Sequence, residues 1–404
     1  MGVSTEPATE RAFALTSAQA AYVAEVRRIA LDHLVAIEPT PTSVNRPLLR
    51  ALGDHGLLRG LFGGEPDQPP RDAAAMQLCL LRETLAGVDT EAETALALQG
   101  LGSYPILQSG RPAAVERWLP GVVSGETVAA FALSEPGAGS DAAALELAAE
   151  PDGDGWRLTG EKAWISNAPD ADVYSVFART TPGAGSRGVT AFVVAGDAAG
   201  LSGEPLDLLA PHAIGRLVFD GVRVERDDVL GEVDGGFAVA MRTLDLFRPS
   251  VGAFAVGMAQ SALDATVDWV TTRRAYGDLL VGQQSVEHTL AEMATRTQAA
   301  RLLVYAAASA YDAGAPRAEI TSSAAMAKLL ATESAQWVVD QAVQLHGARG
   351  LQRGHLLERL YREVRAPRIY EGASEVQRTI IGRGLVRAHQ ERAHQERAHQ
   401  EGQL

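Results

Sequence analysis

A glutamate near the C-terminus, Glu371, has the surroundings expected of a general base. It follows the apolar Ile369 and the aromatic Tyr370 and precedes Gly372 in the segment RAPRIYEGASEVQRTIIGRGL. A carboxylate enclosed by apolar groups has a raised pKa, which suits proton abstraction near neutral pH. A lone glutamate before a glycine is more often an exposed turn residue, so this assignment depends on what the rest of the chain carries.

Two segments in the middle of the chain have the residue types of a cofactor site. FALSEPGAGSD, residues 131–141, leads from an apolar run into small residues, whose backbone N–H groups can approach a phosphate or the polar edge of a flavin. In GEKAWISNAPDADVY, we expect Lys162, Trp164 and Ser166 to alternate onto one strand face, where Trp164 could cover an aromatic ring. A tight surface turn and a core tryptophan are the ordinary alternatives.

Three stretches of different character predict the elements that position these residues. In the first stretch, apolar residues recur at helical spacing, as at Val26 and Leu34. The segment PAAVERWLPGVVSG predicts a helix that begins at Pro112 and ends at Pro120. We therefore expect an N-terminal α-helical domain over residues 1–125.

Short runs rich in Val, Phe, Trp and Thr follow, separated by Gly, Pro and Asp. Within DGWRLTGEKAWISNA, Trp156 and Leu158 alternate with Arg157 and Thr159, which is typical of antiparallel strands with one solvated face. Five or six such runs predict an antiparallel β-barrel or sandwich over residues 126–235.

The last stretch holds long apolar or amphipathic segments rich in small residues, which predict a C-terminal four-helix bundle over residues 236–388. The whole chain is thus expected to be an α+β multidomain protein. A threefold RAHQE repeat lies in the tail, residues 389–404 and the two residues before it. His389, His394 and His399 fall about 500° apart around a helix, so successive histidines do not share a face. We expect an exposed extension of the last helix and no metal site.

Composition narrows the classes of function. With 404 residues, of which 46% are hydrophobic and 21% charged, the chain has the balance of a soluble multidomain protein. The net charge of −14 disfavours nucleic acid as a partner. The same charge repels any phosphate-bearing ligand, which would need a local cluster of arginines or backbone N–H groups.

Cysteine usage and hydropathy favour a cytoplasmic protein that does not contact a membrane. The single cysteine, Cys79, rules out an intrachain disulfide and lies in the apolar run MQLCLL, where a core position is expected. The N-terminus lacks a basic region followed by an apolar one, and no apolar stretch reaches the roughly 18 residues that span a bilayer.

Taken together, the segments resemble the acyl-CoA dehydrogenase family. SEPGAGSD, KAWISNA and IYEGASEVQRTIIGR stand in the order, and at about the separations, of that family. Between them lie LDLFRPSVGAFAVGMAQSALD, RRAYG and QLHGARG, which match further family motifs. The similarity runs from about residue 15 to residue 388 and implies the acyl-CoA dehydrogenase fold, with FAD as cofactor.

The resemblance implies two groups of FAD contacts. Within one subunit, Phe131, Leu133 and Ser134 would contact the isoalloxazine ring, with Trp164 and Ser166 on its other side. Because the family is usually a homotetramer that shares FAD across a subunit boundary, other residues would reach the neighbour's cofactor. The remaining cofactor residues implied are Gly139, Ser140, Arg273, Tyr276, Gln284, Gln344, Leu345, His346, Gly347, Ala348, Ala373, Ser374 and Glu375.

The resemblance also implies the substrate contacts. Asp245 and Arg248 match the segment beside the acyl chain and pantetheine, and Ser140, Tyr370 and Gly372 are further expected contacts. One subgroup of the family places its base immediately before this arginine. Here that position holds Phe247, which cannot accept a proton, so the role of base falls to Glu371.

The reaction implied is α,β-dehydrogenation of an acyl-CoA thioester to the trans-2-enoyl thioester, as in fatty acid metabolism. Glu371 would take the α-proton and FAD N5 the β-hydride, while the backbone N–H of Glu371 and a ribityl hydroxyl would hold the thioester carbonyl. An electron-transferring flavoprotein would reoxidise the flavin. The region LAPHAIGRLVFD departs from the family pattern at His212, where we expect a structural role or an effect on the CoA entrance.

Three alternatives remain. The same chemistry on an acyl-carrier-protein substrate in a biosynthetic pathway keeps every motif. Oxidation of nitroalkanes or amino sugars with oxygen usually changes the base, which the intact Tyr370–Gly372 segment disfavours. A non-catalytic acyl-CoA-binding protein would be expected to lose Glu371 or the flavin-contacting strand, and both are present.

Overall fold

The computed structural model describes residues 14–40, 42–64 and 68–401. Helices, then strands, then helices follow one another in this part of the chain, so the predicted α+β plan is confirmed. The expectation that no signal segment begins the chain concerns residues outside these ranges. Among the described residues, no helix is both long and apolar enough to cross a membrane.

The N-terminal region is built from capped helices. The side chains of Thr16, Asn45 and Asp89 accept hydrogen bonds from free N–H groups in the first turn of three of them, which stabilises each helix start. The elements are α1 (Ser17–Ile29), α2 (Arg46–Asp54), β1 (Phe62–Gly63), β2 (Arg71–Asp72), α3 (Ala75–Ala86), α4 (Thr90–Ser109) and α5 (Pro112–Ser124).

Helix α5 shows where the prediction of a helix end was wrong. The helix continues through Pro120 to Ser124 and ends at Gly125, whose φ is +76°. A proline inside a helix removes a single hydrogen bond, which packing can offset. A glycine in the left-handed region turns the chain away and lets its N–H cap the helix, so it is the stronger end signal.

The middle region forms one eight-stranded sheet in the order β10-β7-β6-β4-β5-β9-β8, with β3 paired to β6. The β3–β6 pairing and the single β4–β6 contact are parallel, so the expectation of a wholly antiparallel sheet is corrected. The strands are β3 (Ala129–Ala132), β4 (Ala148–Asp152), β5 (Gly155–Ser166), β6 (Val173–Arg179), β7 (Val189–Ala195), β8 (Leu201–Pro205), β9 (Ile214–Val224) and β10 (Val229–Leu230).

The C-terminal region is helical, as predicted. Helices α6, α7, α8 and α10 pack against one another, and α3 from the N-terminal region packs on α6 and α7. The elements are α6 (Gly236–Thr272), β11 (Arg274–Ala275), β12 (Asp278–Leu279), α7 (Gln284–Asp312), α8 (Arg317–His346), α9 (Leu356–Glu363) and α10 (Ser374–Glu401).

A carboxylate joins the two helical regions. Asp312, the last residue of α7, accepts hydrogen bonds from Ala75 N at 2.6 Å and Met76 N at 3.0 Å, and so caps α3 from outside. Cys79 of α3 is fully buried, as expected of a core residue. The position of α3 is therefore set by the C-terminal helices as well as by its own region.

The repeat tail continues α10. His389 and His394 are exposed, in agreement with the expected exposed extension, while the side chain of His399 lies outside the described part. No cluster of three or more potential metal ligands occurs among the described residues.

Candidate active site

A cavity of about 930 Å³ lies where the three regions meet. Its walls come from α3 and α4, from β3 and β5 of the sheet, from α6, and from the loop before α10. Most of the site residues predicted from the sequence line it. They are Phe131, Leu133, Ser134, Gly139, Ser140, Trp164, Ser166, Asp245, Arg248, Tyr370, Glu371, Gly372 and Ala373.

The loop that carries Glu371 has an unusual backbone. Glu371 has a φ of +51° and Gly372 a φ of +95°. A non-glycine residue in the left-handed region is strained and persists only when its surroundings hold it. Three side chains do so: Arg248 Nε donates to Glu371 O at 3.3 Å, Lys328 Nζ to Gly372 O at 2.7 Å, and Gln377 Nε2 to the same oxygen at 2.9 Å.

The Glu371 carboxyl combines burial with nearby positive charge. Burial raises its pKa, and the charges of Arg82, Lys328 and Arg248 oppose the rise by favouring the ionised form. Its Oε2 makes no hydrogen bond to a described residue. The Glu371 backbone N–H likewise has no partner in the described ranges. Both groups are therefore free to act on a ligand in the cavity.

A buried ion pair lies on the wall formed by α3 and α4. Arg82 Nε donates to Glu93 Oε1 at 2.5 Å, and Arg82 Nη1 donates to Ser250 Oγ on α6 at 2.7 Å. The two charged side chains are only 3% and 1% exposed. Both residues line the cavity. Sequence reasoning missed this pair, because its members are separated in the chain and belong to no motif.

Phe247, which has no group that could accept a proton, does not line the cavity. It is fully buried and packs edge-on against Tyr104, with the ring centroids 5.2 Å apart. A Cβ at Gly100 would lie 2.8 Å from the Phe247 ring, so α4 passes close to this side chain. Of these two positions, only Glu371 lines the cavity and only Glu371 carries a carboxylate.

Lys162 does not share a strand face with Trp164, contrary to the prediction. A register shift between Lys162 and Ile165 breaks the alternation of β5. Trp164 adopts a φ of +56° and is half-exposed at the cavity, whereas Lys162 is fully buried. The irregular strand therefore turns Trp164 toward the cavity and Lys162 into the interior.

The buried Lys162 anchors the segment that leads into the glycine-rich loop. Its Nζ donates to Glu135 Oε1 at 2.7 Å and to Leu133 O at 2.9 Å. Glu135 also accepts from Glu146 N at 2.6 Å and Leu147 N at 2.9 Å. Burial lowers the pKa of Lys162 to about 8, and the Glu135 carboxylate opposes that shift. This network positions Leu133 and the neighbouring Ser134 at the cavity wall.

His212, the departure from the family pattern, lines the cavity. Its Nε2 lies 3.4 Å from Ser166 Oγ and its Nδ1 lies 3.3 Å from Ala210 O. Burial lowers its pKa, so the ring is neutral near pH 7. The His212 ring therefore contacts Ser166, which is a predicted cofactor residue.

A second group of predicted residues lies elsewhere, around the β11–β12 hairpin and the end of α8. Arg273 lies over the Trp269 ring at 5.6 Å, Trp269 stacks on His346 at 5.3 Å, and Trp269 Nε1 donates to Leu345 O at 3.1 Å. Tyr276 is 93% exposed. The predicted residues of this outer group are Arg273, Tyr276, Gln284, Gln344, Leu345, His346, Gly347 and Ala348.

Two predicted cofactor residues belong to neither group. Ser374 is buried, and its Oγ donates to Glu333 Oε1 at 2.6 Å. Glu375 is exposed and pairs with Arg378 at 3.4 Å. Neither residue lines the cavity, and both lie in the first turn of α10.

Composition gave a signal for two residues to which the sequence motifs assigned no binding or catalytic role. Although Lys and Arg together number 36, the chain has two lysines, Lys162 and Lys328. Both side chains are fully buried. Lys162 contacts the segment at Leu133, and Lys328 contacts the loop that carries Glu371. A lysine is rarely buried without a partner, and in an arginine-rich chain the rare lysines mark positions where a compact, flexible cation is required.

Replacing each lysine by methionine is expected to separate their roles. Lys162→Met leaves the Glu135 carboxylate buried without its counter-charge, a defect worth about 3–5 kcal/mol, so both the melting temperature and the flavin retained on purification should fall. Lys328→Met should retain flavin but slow its reduction by substrate several-fold, since the Glu371 loop loses a support. Flavin-to-protein absorbance ratios and anaerobic reduction rates distinguish them. Full flavin retention in Lys162→Met would contradict the anchoring role.

Comparison with known proteins agrees with this geometry. Models of the acyl-CoA dehydrogenase N-terminal, middle and C-terminal domains match residues 16–126, 130–222 and 234–386. The mitochondrial short-chain specific acyl-CoA dehydrogenase of Bos taurus is 40% identical over 289 residues, which cover 71% of this chain and 69% of the relative. A probable acyl-CoA dehydrogenase of Mycobacterium leprae is 37% identical over 318 residues, covering 78% and 81%.

Solved structures extend the similarity to the whole fold. The butyryl-CoA dehydrogenase of Megasphaera elsdenii superimposes with a TM-score of 0.85 at 32% identity, covering 92% of this chain and 99% of that chain. The predicted family resemblance is thereby confirmed. This chain is a member of the acyl-CoA dehydrogenase family of FAD-dependent oxidoreductases.

Proposed function

We propose that this enzyme removes the α-proton and the β-hydride of a short acyl-CoA thioester, with Glu371 as the base, and releases the trans-2-enoyl thioester. The observation that carries the proposal is the Glu371 carboxyl itself. It lines the cavity, its Oε2 has no hydrogen-bond partner among the described residues, and it is held in a strained loop by groups from three helices. The names of the relatives that act on short-chain and butyryl substrates support the short acyl group.

The cavity wall fits a flavin. Trp164 presents a half-exposed ring from a positive-φ position, and Ser166, Phe131 and Ser134 line the same cavity. A Cβ at Gly139 would meet no protein atom within 4 Å, so the loop leaves space for a ligand. FAD bound there would supply the acceptor for the β-hydride. The residues that would hold it are Phe131, Leu133, Ser134, Gly139, Ser140, Trp164, Ser166 and Ala373.

Glu371 would deprotonate the α-carbon, which becomes acidic enough only when the thioester carbonyl is polarised. The Glu371 backbone N–H, which has no partner in the described ranges, is the group of this chain that would donate to that carbonyl. The apolar walls and Tyr370 exclude water from the reacting carbons. Arg248 and Asp245, which pair at 3.3 Å, would flank the acyl chain and the start of pantetheine.

A second cavity, of about 610 Å³, supports coenzyme A rather than a carrier protein as the acyl carrier. It shares Asp245 and Arg317 with the first cavity, so the two cavities are adjacent. The guanidinium of Arg317, the first residue of α8, makes no hydrogen bond or salt bridge within the described chain, and its charge favours the ionised form of Asp245. Its guanidinium and the nearby Arg242 would attract the phosphates of coenzyme A into an otherwise acidic protein.

Assembly and electron transfer complete the proposal. The outer group around Arg273 lies apart from the cavity of its own chain, as required if FAD is shared between subunits of a homotetramer. Tyr276, which is exposed, and Arg273, which pairs with no carboxylate among the described residues, suit the diphosphate and adenosine of a neighbour's cofactor. We further propose an electron-transferring flavoprotein as acceptor, in cytoplasmic fatty acid metabolism.

The test is anaerobic titration of the purified holoenzyme with butanoyl, isobutanoyl, octanoyl and palmitoyl thioesters of coenzyme A, while the flavin absorbance is recorded. Bleaching by the short substrates supports the proposal. Bleaching by none of them, with flavin present, would favour a carrier-protein substrate or oxygen-dependent chemistry.

The proposal that coenzyme A, rather than a carrier protein, bears the acyl group is tested separately with Arg317→Ala. This variant should weaken binding of butanoyl-CoA about tenfold, the effect of losing one charge-assisted phosphate contact. It should leave binding of butanoyl-pantetheine, which lacks the nucleotide phosphates, unchanged. Equal effects on both substrates would remove coenzyme A phosphates from this cavity.

A further inference from the structure

Polar side chains form one wall of the cavity on the N-terminal helices, where a pocket for an alkyl chain would be apolar. Arg82, Thr90 and Glu93, from α3 and α4, are 3%, 2% and 1% exposed, yet all three line the cavity together with Glu363 from α9. Trp164 and Leu208, which line the opposite part, are 50% and 41% exposed. The polar wall is therefore the deep part of the cavity.

Several atoms of this wall lack hydrogen-bond partners. Thr90 Oγ1 and Glu363 Oε2 lie close to each other, and beyond this mutual contact neither atom has a hydrogen-bond partner among the described residues. Arg82 uses Nε on Glu93 and Nη1 on Ser250, which leaves its Nη2 without a partner in the described ranges. Buried polar atoms are nearly always paired in folded proteins, so unpaired ones beside a cavity mark places for a ligand's polar atoms.

The charges of the wall select among polar ligands. Arg82 and Glu93 form a pair, so their charges nearly cancel. A carboxylate at the end of an acyl chain would meet Glu93 and Glu363, and an ammonium group would meet Arg82. Burial raises the pKa of Glu363 to about 7, so near neutrality its carboxyl is both donor and acceptor. A neutral group that donates and accepts hydrogen bonds matches this wall.

The polar wall also limits how an acyl chain can end. The reacting α-carbon must lie beside Glu371, and Arg82 and Glu371 line the same cavity. The Arg82 charge favours the ionised form of the Glu371 carboxyl. An alkyl chain that extends from the α-carbon toward the polar wall would therefore meet the buried charges of Arg82 and Glu93.

We propose that Arg82, Thr90, Glu93 and Glu363 form a recognition site for a neutral hydrogen-bonding group, such as a hydroxyl or an amide, at the far end of a short acyl thioester. The proposal rests on the proposed function and names its substrate class. It assigns specificity to residues that do not touch the reacting carbons, so the readout of their loss is the ratio of kcat/KM between two substrates, in which any effect of Arg82 on the pKa of Glu371 is shared by both substrates.

The test uses an isosteric pair of substrates on the holoenzyme under anaerobic conditions. In 5-hydroxypentanoyl-CoA a hydroxyl replaces the terminal methyl of hexanoyl-CoA, and glutaryl-CoA serves as the charged comparison. A site built to bind a hydroxyl rejects the analogue that lacks it, so kcat/KM for the hydroxylated substrate should exceed that for hexanoyl-CoA by at least about tenfold. Equal values, or a preference for hexanoyl-CoA or glutaryl-CoA, would overturn the proposal.

Variants of the polar wall test whether its residues cause the preference for the hydroxylated substrate. Arg82→Met combined with Glu93→Leu should reverse the preference in favour of hexanoyl-CoA, and the milder Thr90→Val should reduce it several-fold. The matched control is Arg28→Met with Glu25→Leu, which removes an exposed ion pair of 2.7 Å on α1 and should leave the ratio unchanged. An unchanged ratio in both wall variants would contradict the assignment.

Failure of the proposed function is separable from failure of this inference. If butanoyl-CoA and hexanoyl-CoA both bleach the flavin and the hydroxylated substrate has no advantage, only the inference is wrong. If nothing bleaches the flavin, dissociation constants of the isosteric pair for Glu371→Gln holoenzyme decide the inference independently of turnover. A tenfold tighter hydroxylated ligand would support it, and equal affinities would reject it.

Discussion

Glu371→Gln is expected to reduce the rate of flavin reduction by substrate by roughly 10³-fold, within the range that a positioned general base contributes. Glutamine keeps the shape of the side chain and the backbone N–H, but it cannot accept the α-proton. FAD content should be normal, because the loop remains held by Arg248, Lys328 and Gln377. The measurement is the anaerobic single-turnover bleaching of flavin, alongside the flavin-to-protein absorbance ratio.

The control for this prediction is Glu25→Gln, which changes an exposed carboxylate on α1 in the same way. It should bleach like the unmodified enzyme. Full activity in Glu371→Gln would show that another group takes the proton. Loss of FAD in that variant would instead indicate that the carboxylate is needed for cofactor binding.

The pH dependence of the unmodified enzyme follows from the same carboxyl. Burial raises the pKa of Glu371, and only the ionised form accepts a proton, so kcat/KM should fall as the pH decreases through this raised pKa. The positive charge of Arg82 opposes the rise. Removing that charge should therefore move the acidic side of the profile to higher pH, and an unmoved profile would show that Arg82 has no influence on the base.

Arg82→Met is expected to lower the free energy of unfolding by about 3–5 kcal/mol, because it leaves the Glu93 carboxylate buried without a partner. Both side chains of this ion pair are almost fully buried, at 3% and 1% exposure. Ser250 also loses a hydrogen bond of 2.7 Å from the guanidinium. The loss should appear as a clear decrease in melting temperature, measured at fixed FAD and protein concentration.

The double variant Arg82→Met, Glu93→Leu should recover most of that loss. Replacing both members of a buried ion pair by apolar residues of similar size is often neutral, since neither charge then has to be desolvated. The recovery is what makes the double variant usable as a folded test of substrate preference. Equal destabilisation by the single and the double variant would mean that packing, rather than the unpaired charge, causes the defect. Removing the exposed Arg28–Glu25 pair should change the melting temperature little.

The division of the site residues into two groups could not be derived from local patterns. Arg273 and Glu371 both match family motifs, but only Glu371 lines the cavity, whereas Arg273 packs over Trp269 at a distance from it. Motif matches carry no information on which subunit's cofactor a residue reaches. The separation of the two groups therefore depends on the arrangement of helices α6 and α8.

The sequence by itself determined what depends on local pattern: the succession of helices and strands, and the apolar residues that precede Glu371 in the chain. Helical and strand periodicity and the residues next to Glu371 are properties of short segments, so they can be recognised without the fold. Where a local feature was irregular, local reasoning failed, as at the register shift that separates Lys162 from Trp164.

Only the tertiary structure decided which distant residues share the cavity. Arg82, Glu93 and Glu363 come from three different helices, and Lys328 supports the Glu371 loop from a fourth. Nothing in their local sequence distinguishes them from charged residues on a solvated helix face. Their chemistry arises from burial, because a charge removed from water must find a partner within a few ångströms, and that partner is supplied by the packing of the helices.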